Sequence, residues 1–196
     1  MALFRTINLA DQPPLIEGAG VFLRAPQAGD YAEWVALREA SRAFLTPWEP
    51  TWPADDLTRS AFRRRLRRYA EDQRNDQAYA YFLFRSGDQV LVGGLTLANL
   101  RRGVAQAGSL GYWVGAPYAR RGYMTAAVSA LIPYAFTTLR LHRMEAACIP
   151  TNAASISLLE KTGFQREGYA REYLCINGQW QDHLLFARLR DSPRRR

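Results

Sequence analysis

Lysine is almost missing from this chain of 196 residues. Of the 26 basic residues, Lys161 is the single lysine and the other 25 are arginines. Against 18 acidic residues they give a net charge of +8. Codon bias in a GC-rich genome is as good an explanation for the preference for arginine as a functional requirement is. The excess positive charge still favours an anionic cofactor, an acidic partner or an RNA-rich assembly.

Cysteine and long apolar runs are also scarce. Cys148 and Cys175, both in apolar sequence surroundings, are too few for a disulfide framework or a metal site. No apolar run is long enough to cross a bilayer, and residues 1–11 lack the apolar segment and cleavage site of a signal peptide. We therefore expect no metal, no membrane partner and a cytoplasmic location.

Apolar periodicity predicts a single domain over residues 1–196, whose ends at 1–12 and 191–196 are candidates for disorder. The predicted fold class is α/β, a three-layer α+β arrangement. It has a mixed, mostly antiparallel twisted sheet of about seven strands, with helices on both faces. The predicted strands are 20–26, 78–85, 89–99, 107–115, 142–149, 164–176 and 179–189. The predicted helices are 30–40, 55–75, 121–139 and 152–162.

Local signals refine this outline. Three prolines and two tryptophans in 44–53 predict an ordered aromatic loop. Gly163 predicts a helix C-cap, and Asn177-Gly178 predicts a hairpin turn. The helix 121–139 lies between two strands, so we expect those strands to be parallel neighbours.

A glycine-bearing turn separates one predicted strand from the longest apolar helix. The run 111–115 ends in a Gly-Ala-Pro break, and the basic segment 118–125 then leads into the helix. Such a turn aims unpaired backbone N–H groups and the positive end of the helix dipole at one point. The sequence therefore predicts a site for a phosphorylated cofactor.

One segment concentrates arginine. Its apolar residues Phe62, Leu66 and Tyr69 recur at helical spacing, which leaves two interpretations: a solvated helix face or a nucleic-acid contact. The arginines are Arg59, Arg63, Arg64, Arg65, Arg67, Arg68 and Arg74.

Two motifs, in order and at the right spacing, resemble those of the GNAT acetyltransferases. The hexapeptide 119–124 matches the family turn Q/R-x-x-G-x-G/A, except that Ala119 and Met124 occupy its end positions. Residues 150–155 and 158–164 match the family's N-x-x-S helix and closing Gly-Phe. Within the family, 47–50, 141–144 and the stretch 167–183 resemble the ribosomal-protein alanine N-acetyltransferases.

The resemblance implies that a neutral amine attacks acetyl-CoA directly, without a covalent enzyme intermediate or a metal. It assigns the pantetheine arm and thioester to the backbone of Trp113, Val114 and Gly115. It assigns the remaining cofactor contacts, chiefly to pyrophosphate, to Arg120, Arg121, Gly122, Tyr123, Met124, Thr125, Asn152 and Ser155. One of the two arginines could instead face solvent, and Asn152 could serve only as a helix cap.

Ser155 is the expected general acid, because Leu159 occupies the position at which many relatives carry a tyrosine. A local capping role for Ser155 is the alternative. Ser109 replaces the glutamate that is the general base in many relatives, so the base is open. The proposed bases are Glu49, Glu145, Glu172, Asp182 and His183. The residues expected to line the acceptor cleft, or merely to pack, are Trp48, Glu49, Tyr173, Trp180 and His183.

These features predict an acetyl-CoA-dependent N-acetyltransferase that acts on a protein N-terminus, that of a ribosomal protein. An α-amine is roughly a tenth neutral near pH 7, whereas a lysine is neutral about one time in a few thousand, so an N-terminal acceptor can release its proton to water. The arginine-rich surface would contact the ribosome. Two alternatives remain: a small-molecule amine acetyltransferase, and a ribosome-associated assembly factor for which catalysis is secondary.

Overall fold

The computed structural model describes residues 15–190, so the expectations for 1–12 and 191–196 lie outside the described residues. Eight strands form one sheet in the order β1-β2-β3-β4-β5-β6-β8-β7. The strands are β1 (Ile16–Gly18), β2 (Val21–Arg24), β3 (Tyr79–Arg85), β4 (Leu91–Arg101), β5 (Ala107–Val114), β6 (Arg143–Cys148), β7 (Gln165–Ile176) and β8 (Gln179–Leu189). The helices are α1 (Tyr31–Ala40), α2 (Arg42–Leu45), α3 (Arg59–Arg74), α4 (Tyr123–Thr137) and α5 (Ala153–Lys161).

The predicted mixed α/β sheet is confirmed. β5 and β6 pair in parallel, as the intervening helix α4 requires, and every other neighbouring pair is antiparallel. The number of strands is one higher than predicted, because β1 is only three residues long and carries too little periodicity to be recognised.

Helices cover both faces of the sheet. Along β3, Tyr81 and Leu83 join the core cluster of α4, whereas Phe82 and Phe84 join the cluster of α1 and α3. This alternation is the period-two pattern of a strand that is buried on both sides. The sheet is therefore the middle of three layers.

Three local predictions need correction. The arginine-rich helix begins at Arg59 and not at 55, because the Thr58 side chain accepts the Ala61 N–H and caps it there. The first part of the aromatic loop is helical, since α2 and a 3-10 turn at Thr46–Trp48 occupy it. Cys175 is exposed on β7, whereas Cys148 is buried as expected.

The C-terminal cap of α5 is confirmed. Gly163 has φ +84°, its N–H donates to the Glu160 carbonyl, and the Phe164 N–H donates to the Leu159 carbonyl. These two bonds are a Schellman motif, and the buried Leu159 and Phe164 supply its hydrophobic contact.

We expect Gly163→Ala to lower the free energy of unfolding by about 1–2 kcal/mol, because an L-residue pays that cost in the left-handed region. The Arg188 guanidinium, whose Nη1 would lie 2.5 Å from the added Cβ, must also move aside. Urea denaturation measures the change. Gly87→Ala is the matched control: this exposed turn glycine has no atom within 4 Å of an added Cβ and no positive φ. Equal effects at the two positions would contradict the conformational explanation.

Candidate active site

β5 and β6 part after a short parallel contact. Their register runs from Ala107–Arg143 to Ser109–Glu145, three residue pairs in all. Beyond that point β5 stays bonded to β4 as far as Val114, and β6 stays bonded to β8 as far as Cys148. A fork therefore opens in the middle of the sheet, with unpaired backbone groups along its inner edges.

The amide of Val114 points into this fork. The Gly115 N–H donates to the Val92 carbonyl at 2.9 Å, on the β4 side. Because successive N–H groups of a strand point to opposite edges, the Val114 and Tyr112 amides face the gap, and that of Trp113 faces β4. Of the three residues expected to hold the thioester arm, Val114 thus has the free donor. Gly115 is needed for packing, since a Cβ there would lie 2.3 Å from Leu37 Cδ1.

The turn after β5 leads to the N-terminus of α4. Gly122 is the N-cap of α4, with φ +81° and no side-chain cap, and the first turn contains no acidic residue. The first-turn amides of Tyr123, Met124 and Thr125 have no intrahelical acceptor. An added Cβ on Gly122 would meet no atom within 4 Å. Open space, free donors and an uncompensated dipole fit a pyrophosphate.

Side chains around this turn differ in their availability. Arg120 and Arg121 are both exposed, and Arg120 has φ +61°. Met124 is buried in the core, so its contribution to a ligand is limited to the backbone. The Tyr123 hydroxyl accepts a hydrogen bond from Arg85 at 3.4 Å.

Ser155 lies across the fork, in the first turn of α5. Asn152 Oδ1 accepts the Ser155 N–H at 3.1 Å, which confirms the predicted capping role of Asn152. The Ser155 hydroxyl is not the cap: its Oγ lies 2.6 Å from the phenol oxygen of Tyr112. The Ser155 hydroxyl is thus directed toward β5, which is the orientation required of a group that contacts a ligand in the fork.

The groups around Ser155 are neutral. Burial raises the pKa of Tyr112, so the phenol keeps its proton. Burial also raises the pKa of the Cys148 thiol, although a hydrogen bond with Ser155 opposes this. The inner wall of the fork thus offers hydroxyl and thiol protons and carries no fixed charge.

Glu49 is fully engaged by its neighbours. Arg38 donates to both carboxylate oxygens, at 2.8 and 2.7 Å, and Trp52 Nε1 donates to Oε2 at 2.7 Å. The Arg38 guanidinium also lies 4.0 Å from the ring centroid of Trp52 and 4.9 Å from that of Trp113. Arg38 is 6% exposed. Glu49 is therefore the partner that a buried cation requires.

Glu145 is similarly occupied. It stands at the last paired position before the fork opens, where Arg143 Nε donates to Oε1 at 2.9 Å and Arg101 contacts Oε2. Both oxygens of the Glu145 carboxylate are thus occupied by arginine N–H groups.

The C-terminal hairpin uses Asp182 structurally. Asp182 accepts the Tyr169 hydroxyl and the Glu172 N–H, the latter at 2.8 Å. The Tyr169 hydrogen bond, then that backbone N–H, lowers the pKa of Asp182. Glu172 has φ +46° at an irregularity in the β7–β8 register, so Asp182 stabilises a bulge in the edge strand.

The structure brings some of the expected acceptor residues together. The rings of Tyr173 and His183 are in contact, with centroids 5.8 Å apart, and His183 Nδ1 lies 2.8 Å from the Gln181 carbonyl. Alternation along β8 places Trp180 on the opposite face from His183. The exposed Trp48 ends the 3-10 turn of the aromatic loop.

The aromatic loop and the hairpin meet through the backbone. The Asn177 N–H donates to the Glu49 carbonyl at 2.9 Å, and an added Cβ on Gly178 would lie 3.6 Å from Thr51 Oγ1. The two segments that carry the expected acceptor residues are therefore fixed relative to each other.

The arginines of α3 fall into two groups. Arg64 and Arg65 pair with Asp55 and Asp56, and Arg59 lies 4.4 Å from the Tyr31 ring centroid. Arg63 and Arg67 are exposed, and no carboxylate of residues 15–190 forms an ion pair with either. Arg63 and Arg67, one helical turn apart, thus present charge that no carboxylate of the described residues neutralises.

Sequence reasoning missed Tyr112, Arg38 and Trp52. Tyr112 was not recognised because it lies in an apolar strand. The position of Arg38 could have been recognised, because it follows Leu37 on the side of α1 that is buried in the core. Trp52 was recognised only as part of the aromatic loop. Among residues 15–190 no group of three metal-ligating side chains occurs, and no helix there is long and apolar enough to span a membrane.

Comparison with known proteins agrees with this geometry. The family described as an acetyltransferase (GNAT) domain matches residues 21–165. The probable N-acetyltransferase YjcK of Bacillus subtilis (strain 168) is 34% identical over 173 residues, which is 88% of this chain and 96% of that protein. The ribosomal protein uS5-alanine N-acetyltransferase of Escherichia coli (strain K12) is 37% identical over 147 residues, 75% of this chain and 76% of that enzyme.

A solved structure extends the likeness to the fold. Mycobacterium smegmatis RimJ, in complex with CoA-disulfide, superposes with a TM-score of 0.83 at 32% identity, covering 92% of this chain and 87% of that one. The family match spans most of the sequence, and the relatives align over at least three quarters of it. This chain belongs to the GNAT acetyltransferase family.

Proposed function

We propose that the protein transfers the acetyl group of acetyl-CoA to the N-terminal α-amine of a protein, a ribosomal protein beginning with alanine. The fork between β5 and β6 supports this proposal, because the Val114 amide faces the gap, the Ser155 hydroxyl is directed toward β5, and the open N-terminus of α4 follows β5. The similarity to the E. coli uS5-alanine enzyme and to RimJ supports both the donor and the acceptor class. A ribosomal acceptor also implies a cytoplasmic location.

Acetyl-CoA, when bound, supplies the thioester carbonyl that the amine attacks. The Val114 N–H polarises the carbonyl oxygen, and the amides of Tyr123, Met124 and Thr125 bind the pyrophosphate. As the new N–C bond forms and the C–S bond breaks, Ser155 donates to the departing sulfur. A thiol has a pKa of about 8.5, so its thiolate needs only modest help to leave.

Water is the proton acceptor in this proposal. The carboxylates of Glu49 and Glu145 are held by arginines, and Asp182 stabilises the hairpin bulge. An α-amine needs no strong base, because roughly a tenth is neutral near pH 7. The same neutralised carboxylates argue against a cationic small-molecule acceptor, for which a free carboxylate cluster is expected.

The first test offers acetyl-CoA with two matched peptides and measures mass gain. One has a free N-terminal alanine, and the other is blocked at its N-terminus and carries an internal lysine. We expect acetylation of the free-alanine peptide only, with kcat/KM rising with pH until the α-amine is neutral near pH 8. Acetylation of the blocked peptide alone would make lysine the acceptor and would contradict the proposal.

We expect Gly122→Trp to weaken acetyl-CoA binding on the order of 100-fold, because the indole fills the space at the N-terminus of α4 and displaces charge-assisted hydrogen bonds. Calorimetry measures the affinity. Gly122→Ala is the control, since it carries the same cost of a positive φ with little added bulk. If the tryptophan variant binds acetyl-CoA as tightly as the alanine variant, the turn is not the phosphate site.

We further propose that Arg63 and Arg67 of α3 contact ribosomal RNA. Arg63→Ala with Arg67→Ala is expected to reduce the slope of log binding constant against log salt by about 1.4–1.8, the loss of two phosphate contacts. Co-sedimentation with ribosomes measures this. The double variant Arg140→Ala and Arg166→Ala removes equal charge elsewhere and is expected to leave the slope unchanged. Equal slopes for both double variants would contradict a contact through α3.

The ribosome and peptide assays together separate catalysis from a role in assembly. Because α3 and the turn at Gly122 are different elements, Gly122→Trp is expected to lose acetyl transfer and to keep ribosome binding. An assembly factor would bind the ribosome and leave the free-alanine peptide unmodified even with its cofactor turn intact.

A further inference from the structure

Tyr112 is a polar residue that lies in the fork and has no role in the reaction as proposed above. It lies on the part of β5 that has left β6, and its hydroxyl meets that of Ser155 at 2.6 Å, a contact between residues 43 positions apart. Its ring packs against the core cluster of α4 and α5. The contact thus joins β5, on one side of the fork, to α5, which follows β6 on the other side.

The direction of this hydrogen bond decides what Ser155 can do. A hydroxyl has a single proton to give and two lone pairs to accept with. If Ser155 donates to Tyr112, it has no proton for the sulfur. If Tyr112 donates to Ser155 Oγ, the serine proton is left for a sulfur: that of a ligand in the fork or that of the neighbouring Cys148, a weak acceptor. Burial favours the protonated phenol, which makes Tyr112 a competent donor.

We propose that Tyr112 is a positioning residue that donates its O–H to Ser155 Oγ and so directs the serine proton toward the sulfur of the departing CoA. The inference rests on the proposed function. It also puts a phenol on β5 near the expected leaving group, whereas α5 has the fully buried Leu159 where many relatives carry a tyrosine.

Two physical effects follow from this contact. A serine hydroxyl rotates freely unless a partner fixes it, so the phenol removes the orientations in which the proton points away. A donor to Oγ also polarises the serine O–H, because hydrogen bonds in a chain strengthen one another. No covalent change is needed, and Tyr112 keeps its proton throughout.

The test is a double-mutant cycle on kcat with the free-alanine peptide. Tyr112→Phe keeps the ring and is expected to lower kcat about tenfold, the effect of one lost hydrogen bond, with KM for acetyl-CoA within about twofold. Ser155→Ala removes the group on which Tyr112 acts. The double variant should therefore be no slower than Ser155→Ala alone.

Tyr81→Phe is the matched control. Tyr81 pairs with Leu95, and Leu95 pairs with Tyr112, so the two tyrosines lie in one row of the sheet and share a core cluster. We expect Tyr81→Phe to keep wild-type kcat. Full turnover of Tyr112→Phe, or a double variant whose loss is the product of the single losses, would overturn the inference.

The experiments also distinguish a wrong acceptor from a wrong role for Tyr112. If the wild-type protein leaves the alanine peptide unmodified, the proposed function is wrong, and the cycle is run on release of free thiol from acetyl-CoA with an amine that the protein does accept. Thiol departure is common to any acceptor. Coupling between Tyr112 and Ser155 in that assay would support the inference, and additive losses would contradict it.

Discussion

The parting of β5 and β6 is the constraint on which the rest of the site depends. If the two parallel strands stayed paired, the amides of Tyr112 and Val114 would bond to β6, and β5 would have no backbone donor for a ligand. The gap persists because each strand is held on its other side, β5 by β4 and β6 by β8. The sheet thus keeps its integrity while exposing polar backbone at its centre, where α4 and α5 begin.

A buried arginine stabilises the side of the fork on which the acceptor is expected. Arg38 lies close to the rings of Trp52 and Trp113 and is neutralised by Glu49. Removing the Glu49 carboxylate would leave Arg38 buried without an ion-pair partner, so the pair fixes α1, the aromatic loop and the end of β5 relative to one another. The Asn177–Glu49 backbone bond extends this unit to the hairpin. The segments beside which the acceptor is expected are therefore held together by direct contacts.

The sequence was most informative where a local motif has a strict backbone requirement. Gly122 before α4, Asn152 before α5 and Gly163 after it each do what their positions predict, because caps depend on neighbouring residues only. The strand β1 escaped recognition, since three residues establish no period. The partners of Glu49, Glu145 and Ser155 also escaped, because Arg38, Arg101 and Tyr112 come from distant segments that only the folded sheet brings near. Motifs thus indicated where the candidate site lies. The hydrogen-bond and ion-pair partners of its side chains could be known only from tertiary contacts.

The arginine content has a chemical consequence within the proposed function. Two of the carboxylates proposed as bases, those of Glu49 and Glu145, already accept hydrogen bonds from arginines at both oxygens, so they are engaged before an amine reaches the fork. An acceptor must then be substantially neutral before it reaches the fork. An α-amine meets that condition near neutral pH, and a lysine does not. Selectivity for protein N-termini would thus follow from how the site treats its carboxylates as much as from the shape of the cleft. A relative with a free glutamate at the position of Ser109 would lack this restriction.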